Sequence, residues 1–451
     1  MLRRLLVLLA AVAALPIASS GAFTLPVETA TLPNGLRVLV HTDRSAPVVS
    51  SYVFYRVGSR NEKLDRTGMA HLFEHMMFNG GQKFGPGQFD DLIEGNGGST
   101  NGYTTRDFTA YLNNFPREAL PIVLDLEADR MGHLAVTPQN LEQERGIVME
   151  ERRLRIDNDV GGTMYEQLYL HAFERSPYRW NPVGFMADLR LITLADAQAF
   201  HKTYYAPNNA VLVLSGDVEP ADGFALAKKH FGRIPRQTPP GPVSAEEPPQ
   251  DGERRITVRK PAELPALLLG YHGVRALDPD RAALDVLGKL LTGGDSARLD
   301  RALVRQHELT TGVSADITWA IDPELFVIYA QARPGKGVAL VEQRIDEVLA
   351  AMAREPVTPE ELQTAKRQLR AELVKGLKTV GGKANQLGFC EVVLGDYRRL
   401  FQFGAEWEAV TAADVQRVVA THLVPTRRTV VVLEPIAADG RRRAPAPGGG
   451  S

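Results

Sequence analysis

The sequence predicts an α+β fold of two homologous domains, each a mostly antiparallel sheet packed with helices. Three observations lead there: helix–strand punctuation recurs at a spacing near 220 residues, a proline-rich stretch separates the two occurrences, and strand and helix signals alternate irregularly within each. The composition agrees, since 451 residues with 44% hydrophobic and 24% charged are ordinary for a globular chain and sufficient for two cores. A net charge of −2 supplies no basic field that would draw nucleic acid or anionic lipid. A single cysteine, Cys390, excludes an internal disulfide framework and any site built from several thiolates.

The first segment reads as an address. Met1–Ala22 carries Arg3 and Arg4, an apolar run from Leu5 to Ala14, and only small residues from Ala18 to Ala22. This is the layout of a secretory signal peptide cleaved near Ala22, and its apolar run is too short to cross ~30 Å of hydrocarbon. The expected mature chain is soluble, with no later membrane span, and a bacterial periplasm is the expected compartment.

The first domain is expected over residues 23–235. Gly35–Val40 and Val48–Tyr55 read as strands, adjacent as in a hairpin. Near its end, Thr193 and Asp196 precede an amphipathic helix, Pro207 breaks it, and Val211–Leu214 reads as a buried strand. The same order returns in Thr411, Asp414, Pro425 and Val430–Leu433, 218 residues later. Thr137-Pro138 and Thr358-Pro359 form a second pair, each a Thr N-cap with Pro in the first helical position. Gly80-Gly81 and Gly293-Gly294 form a weaker third. Residues 236–254, with Pro239, Pro240, Pro242, Pro248 and Pro249, are expected to be an extended, exposed linker. The second domain is expected over 255–436, followed by a disordered tail, 437–451.

The chemistry concentrates in Met69–Phe78, MAHLFEHMMF. His71, Glu74 and His75 stand at i, i+3 and i+4 and project from one helical face, flanked by Leu72, Phe73, Met76 and Met77. Two imidazoles one turn apart can grip one divalent ion, and a Glu between them is held beside it without binding. The order His-x-x-Glu-His inverts the commoner zinc-protease motif. A third ligand has to come from elsewhere. After Pro138, Glu144, Ile147, Val148 and Glu151 fall on one face, two carboxylates around an apolar pair, while Glu150 is turned toward solvent. Spacing alone does not rank Glu144 against Glu151.

The runs HLFEHMMFNGG, GGSTNGYTTRDFTAYL, ERGIVMEERR and YAPNNAVLVLSGDV resemble the inverted-motif zinc metallopeptidases of the insulinase and pitrilysin family, which includes mitochondrial processing peptidase. The resemblance spans nearly the whole mature chain. It implies a zinc-dependent endopeptidase in which Zn²⁺ is held by His71, His75 and Glu151, with Glu74 as general base. It also implies Glu144 as a supporting carboxylate behind the ligands and Asn101, Gly102 and Tyr103 as an edge strand that receives the substrate peptide. Two such chains pair in this family, so a homologous subunit is the expected partner, as a heterodimer or alternatively a homodimer. A non-catalytic structural or chaperone-like subunit is the competing reading.

Two departures from the family bear on this. In the second copy, Leu284, Leu287 and Gly288 stand where the first has His71, Glu74 and His75, and Glu372 stands opposite Glu151 without companions. One site per chain is therefore expected. Many members also carry an Arg and a Tyr, seven apart, in the second half; the matching positions here are Val304 and Thr311, with Arg305 adjacent but expected to point elsewhere. The expectation is that a related subunit supplies the missing pair.

Overall fold

A computed structural model describes residues 23–244 and 246–437. The expected signal peptide, and the expected tail beyond residue 437, lie outside the described residues. Among the described residues eleven strands form two sheets. The first holds β1 (Glu28–Thr31), β2 (Arg37–Thr42), β3 (Val48–Tyr55), β4 (Ser99–Thr104), β5 (Thr109–Pro116) and β6 (Ala210–Gly216), in the order β1-β2-β6-β3-β5-β4. The second holds β7 (Arg254–Pro261), β8 (Ala266–His272), β9 (Thr310–Ile317), β10 (Leu325–Ala332) and β11 (Arg428–Ile436), in the order β7-β11-β8-β10-β9. Without β1 the two orders are the same. Each contains a single parallel pair, β2 with β6 and β7 with β11, and all other neighbours are antiparallel. The α+β duplication is therefore present in the topology, not only in the punctuation.

One expectation is corrected. β2 and β3 are not partners in a hairpin, because β6 lies between them and pairs with both. Every residue of β6 is buried, so the strand that hydropathy marks as most interior takes the centre of the sheet, and two chain neighbours are forced apart.

Eight helices position the site and join the two copies: α1 (Met69–Met76), α2 (Pro138–Arg152), α3 (Val160–Ala172), α4 (Leu194–Tyr204), α5 (Arg281–Thr292), α6 (Pro359–Gly376), α7 (Val380–Val393) and α8 (Ala412–His422). The punctuation has a local cause. Thr193 and Thr411 form complete capping boxes with Asp196 and Asp414, and Thr137 and Thr358 cap α2 and α6 ahead of Pro138 and Pro359.

The two copies exchange a helix. α3 packs on β7, β8 and β11 of the second sheet, whereas α7 packs on β3 and β6 of the first. Both open on the same tripeptide, Val160-Gly161-Gly162 and Val380-Gly381-Gly382, behind an N-cap, Asp159 or Thr379, that accepts from the second glycine's N–H. Glycine makes both dockings close. A Cβ on Gly388 of α7 would lie 2.0 Å from the Phe54 ring of β3, and one on Gly270 of β8 would lie 2.8 Å from Leu168 of α3. Among its described residues the proline-rich stretch has no helix or strand before Arg254, where β7 already begins, and it is not wholly exposed. Glu247 accepts the N–H groups of Glu174, Arg175 and Ser176 at 2.6–2.9 Å, and buried Gln250 donates to the Arg428 carbonyl at 2.6 Å.

Gly388→Ala should therefore force α7 off the Phe54 ring and destabilise the fold by about 1–3 kcal/mol, the usual range for overpacking. Denaturant titration of the purified variant checks this; an unchanged midpoint would show that α7 does not seat as described.

Candidate metal centre

α1 is too short to hold itself together and begins without a side-chain cap, because its N-cap is Gly68 at φ 87°. Glycine is required there twice over, by the left-handed backbone and because a Cβ would lie 2.5 Å from the Val183 carbonyl. The missing cap comes from a distance. The buried Glu62 carboxyl group accepts the N–H groups of Gly68 (2.9 Å) and Ala70 (2.8 Å) and the Trp180 indole (3.1 Å), satisfying donors left free at the start of the helix, and burial pushes this carboxyl up to about 8. Asp188 adds bonds to the Thr67 N–H and hydroxyl. Leu72, Phe73 and Met76 then bury one face.

On the other face, His71 is buried and His75 half-buried, their rings 4.8 Å apart and nearly perpendicular. α2 crosses behind them. Leu141 and Val148 bury it, and at its last residue Arg152 grips Glu166 of α3 through two bonds (2.8 and 3.0 Å) and the Gly184 carbonyl (2.6 Å). Glu151 is thereby brought to the imidazoles: its Oε2 lies 3.5 Å from His71 Nε2 and 3.3 Å from His75 Nε2. One ligating atom from each of the three residues lies within 4.8 Å of the others, which makes this the one such cluster among the described residues.

These separations are beyond the ~2.7–3.2 Å of a good N–H···O bond. They match the ~3.4 Å edge of a tetrahedron whose ligands lie ~2.1 Å from a central ion. The donor set of two imidazoles and a carboxylate, with a fourth direction open, fits a catalytic divalent ion. The flanking groups fit it too. Glu144, buried, faces His75 Nδ1 at 3.6 Å and is held by Asn79 Nδ2 at 2.8 Å; Arg155 holds the second Glu151 oxygen at 3.1 Å. His71 Nδ1 has no hydrogen-bond partner among the described residues, so packing alone sets that ring.

The charges follow the geometry. Burial pushes His71 down to about 4, with His75 adding repulsion. Burial also works against charge on His75, but the facing carboxylates of Glu144 and Glu151 outweigh it and take the group up to about 9. Glu151 is held below its ordinary value, first by the facing His75 imidazole. Glu74 goes the other way: burial raises its carboxyl, partly offset by a hydrogen bond from Thr104.

Glu74 lies against β4. This strand closes one end of the first sheet, pairing only with β5, and carries Asn101, Gly102 and Tyr103 along its length. A Cβ on Gly102 would be 3.2 Å from Glu74 Cγ and 3.5 Å from the Phe78 ring, so the absent side chain is what lets strand and helix approach. Two details of the sequence reading change. Ile147 shares a face with Glu144 and Glu151 but is 45% exposed, so the apolar pair reduces to Val148 alone. Sequence reasoning also missed Glu62, Asn79, Arg152 and Arg155. Asn79, four residues after His75, carried a usable spacing signal; Glu62 carried none, because its role depends on a long-range cap.

In the second copy Glu372 pairs with Lys289 at 2.7 Å. Val304 is half-buried, Thr311 donates to Gln331 Oε1 at 3.1 Å, and Arg305 pairs with Asp295.

Comparison with known proteins gives a consistent picture. Residues 37–179 match the model described as insulinase, peptidase family M16, and residues 191–369 that described as peptidase M16 inactive domain. A zinc protease, PqqE, from Helicobacter pylori is 32% identical over 413 residues, covering 90% of this chain and 93% of that one. The crystal structure of a protease from Helicobacter pylori superposes with a TM-score of 0.88 at 31% identity, over 92% of this chain and all of that one. The periplasmic protease PqqL from Escherichia coli shares the fold with a TM-score of 0.77 at 18% identity; 93% of this chain covers 50% of its length.

If Glu144 orients His75 without being a ligand, Glu144→Gln should weaken Co²⁺ binding by about 10–100-fold, and Glu151→Gln should weaken it further. Cobalt absorption titrations on both variants check the order; the reverse ranking would exchange the two roles.

Proposed function

The chain belongs to the insulinase family of peptidases, M16, and from that premise we propose that it is a zinc-dependent endopeptidase acting on peptides or unfolded segments. The observation that carries this reading is the convergence of His71, His75 and Glu151 beside both Glu74 and an edge strand. His71, His75 and Glu151 would hold the ion, and Glu144 would fix the His75 tautomer through Nδ1. When bound, zinc supplies Lewis acidity, which lowers the pKa of a water and polarises a carbonyl.

The remaining steps belong to the chain's own residues. A peptide adding to β4 along Asn101–Tyr103 would be held by backbone hydrogen bonds, its scissile group carried past Glu74. The Gly102 N–H now donates to the Asn101 side chain at 2.8 Å, a bond that a substrate carbonyl can replace. Glu74 takes a proton from the attacking water and returns it to the leaving amine. Burial makes its carboxylate a better base, and the bond from Thr104 keeps the ionised form accessible.

We infer that a homologous subunit completes the site. Neither Val304 nor Thr311 offers the cation or phenol expected at those positions, and Arg305 is engaged elsewhere. The match to half of a chain twice as long supports a second half of the same fold. Whether that partner is a related chain or a second copy is the heterodimer–homodimer alternative. The leader-like Met1–Ala22 supports delivery to a periplasm, and among the described residues no helix is long and apolar enough to cross a membrane.

Glu74→Gln should retain zinc while hydrolysis of a quenched peptide falls by orders of magnitude; His71→Ala should lose both. Metal analysis alongside the rate checks this, and full activity in Glu74→Gln would remove its role as base. The purified chain alone should be slow and should accelerate when mixed with a homologue bearing the Arg and Tyr. Equal rates with and without that subunit would count against the partner.

A further inference from the structure

The start of the helix that carries both imidazoles hangs from a short segment held by both copies. Ser59–Asn61, one 3-10 turn after β3, leads straight into Glu62, the cap of α1. The turn between β4 and β5 holds its backbone. The Ser59 and Arg60 N–H groups donate to the Thr105 and Arg106 carbonyls at 3.2 and 2.9 Å, and a Cβ on Gly58 would lie 2.4 Å from the Arg106 oxygen. The turn between β9 and β10, in the second copy, holds its side chain. Arg60 donates to Asp322 Oδ2 through Nε (3.0 Å) and Nη2 (2.7 Å), and only 13% and 15% of the two side chains is exposed.

The two turns are also fastened to each other. Asp107 of the first accepts the Ile321 N–H of the second at 2.9 Å and the Tyr178 hydroxyl at 2.5 Å, and that hydroxyl accepts the Asp322 N–H at 3.1 Å. Asp107 also lies 3.5 Å from Arg60 Nε, so the guanidinium stands between one carboxylate from each copy. In the second copy the comparable segment pairs with its own turn, the Gly273 and Ala276 N–H groups donating to the Glu324 and Ala320 carbonyls. Its arginine, Arg275, is exposed. The buried crossing belongs to the copy that carries the two imidazoles.

His71 is the residue this arrangement bears on. It is the third residue of α1, and its Nδ1 has no hydrogen-bond partner among the described residues, so the ring goes where the helix start goes. His75, one turn further on, has Glu144 facing its Nδ1 instead. A shift of Arg60 passes through two residues to Glu62, and from that carboxyl to the N–H of Ala70, the residue before His71.

We propose that Arg60 is a positioning residue for the metal centre, and that the second copy, through Asp322, sets the seat of His71. The proposal rests on the reading of His71, His75 and Glu151 as that centre. It gives the copy without imidazoles a share in the geometry of the one that has them.

The test applies Co²⁺ absorption titration, and hydrogen-exchange mass spectrometry of the metal-free protein, to full-length Asp322→Asn, Arg60→Gln and the double variant. Either single variant should bind Co²⁺ about ten-fold more weakly and exchange faster in peptides covering Gly68–Leu72. The double variant should be no weaker than the worse single one, because both substitutions remove the same link, and Asp322→Glu should recover most of the affinity. Glu361→Gln, which breaks the Arg298 pair within the second copy, is the control: it should lower the denaturation midpoint while leaving Co²⁺ affinity and exchange in α1 as in the wild type. Arg60→Lys keeps the charge without the two-pronged contact; it should also weaken Co²⁺ binding, and serves if the other variants fail to fold. Wild-type affinity and exchange in Asp322→Asn, or in Arg60→Lys where it stands in, would overturn the positioning role. So would additive losses in the double variant, or an equal loss in Glu361→Gln. No Co²⁺ binding by the wild type would overturn the metal centre and this role with it. The expected pattern in a protein that hydrolyses no peptide would leave the role standing and remove the peptidase reading instead.

Discussion

One carboxylate has to reach two imidazoles across the gap between helices that are far apart in sequence. The candidate metal centre depends on that crossing. Glu151 cannot be placed by its own helix, which ends one residue later in a short π-helical turn. Its neighbour Arg152 does the placing, through buried bonds to Glu166 and to the Gly184 carbonyl. Breaking a buried pair of this kind leaves an unpaired charge in the interior, so the geometry resists small displacements. The imidazole helix is fixed from its opposite end by Glu62. The cluster is thus built from two helices whose positions are set by buried ionisable side chains outside the cluster itself.

The parts of this arrangement that were legible in the sequence are local. Thr–Asp and Thr–Pro boundaries, the spacing of His71, Glu74 and His75, and the uniformly apolar Val211–Leu214 all express backbone geometry within a few residues. Glu144 and Glu151 share a face by helical arithmetic, yet only a family resemblance could rank them. What stayed hidden was non-local. β6 entering between β2 and β3, Glu62 capping a helix it does not belong to, and Ile147 facing solvent each depend on segments brought together only by folding. The Val-Gly-Gly repeat that opens α3 and α7 was visible in principle. It lacks hydrophobic periodicity, and its significance emerges only once the two helices are seen to change places.

Duplication followed by divergence explains the asymmetry of the chain. The strand order survives in both copies, as do the caps, because they carry the fold. The cluster of two imidazoles and a carboxylate is present in one copy, and in the other Leu284 and Gly288 stand at the matching positions, beside a cavity with aromatic walls. Loss of polar donors in a buried place removes the cost of satisfying them.

The exchange of α3 and α7 has a consequence for how the protein comes into being. A ribosome delivers the first sheet long before Val380–Val393 exists, and until then one face of β3 and β6 has nothing to cover it. The second sheet needs α3 in return, so neither half can reach its final state by itself, and the chain must pass through a stage with apolar strand surface open to water. Its architecture postpones completion until nearly the whole length has emerged.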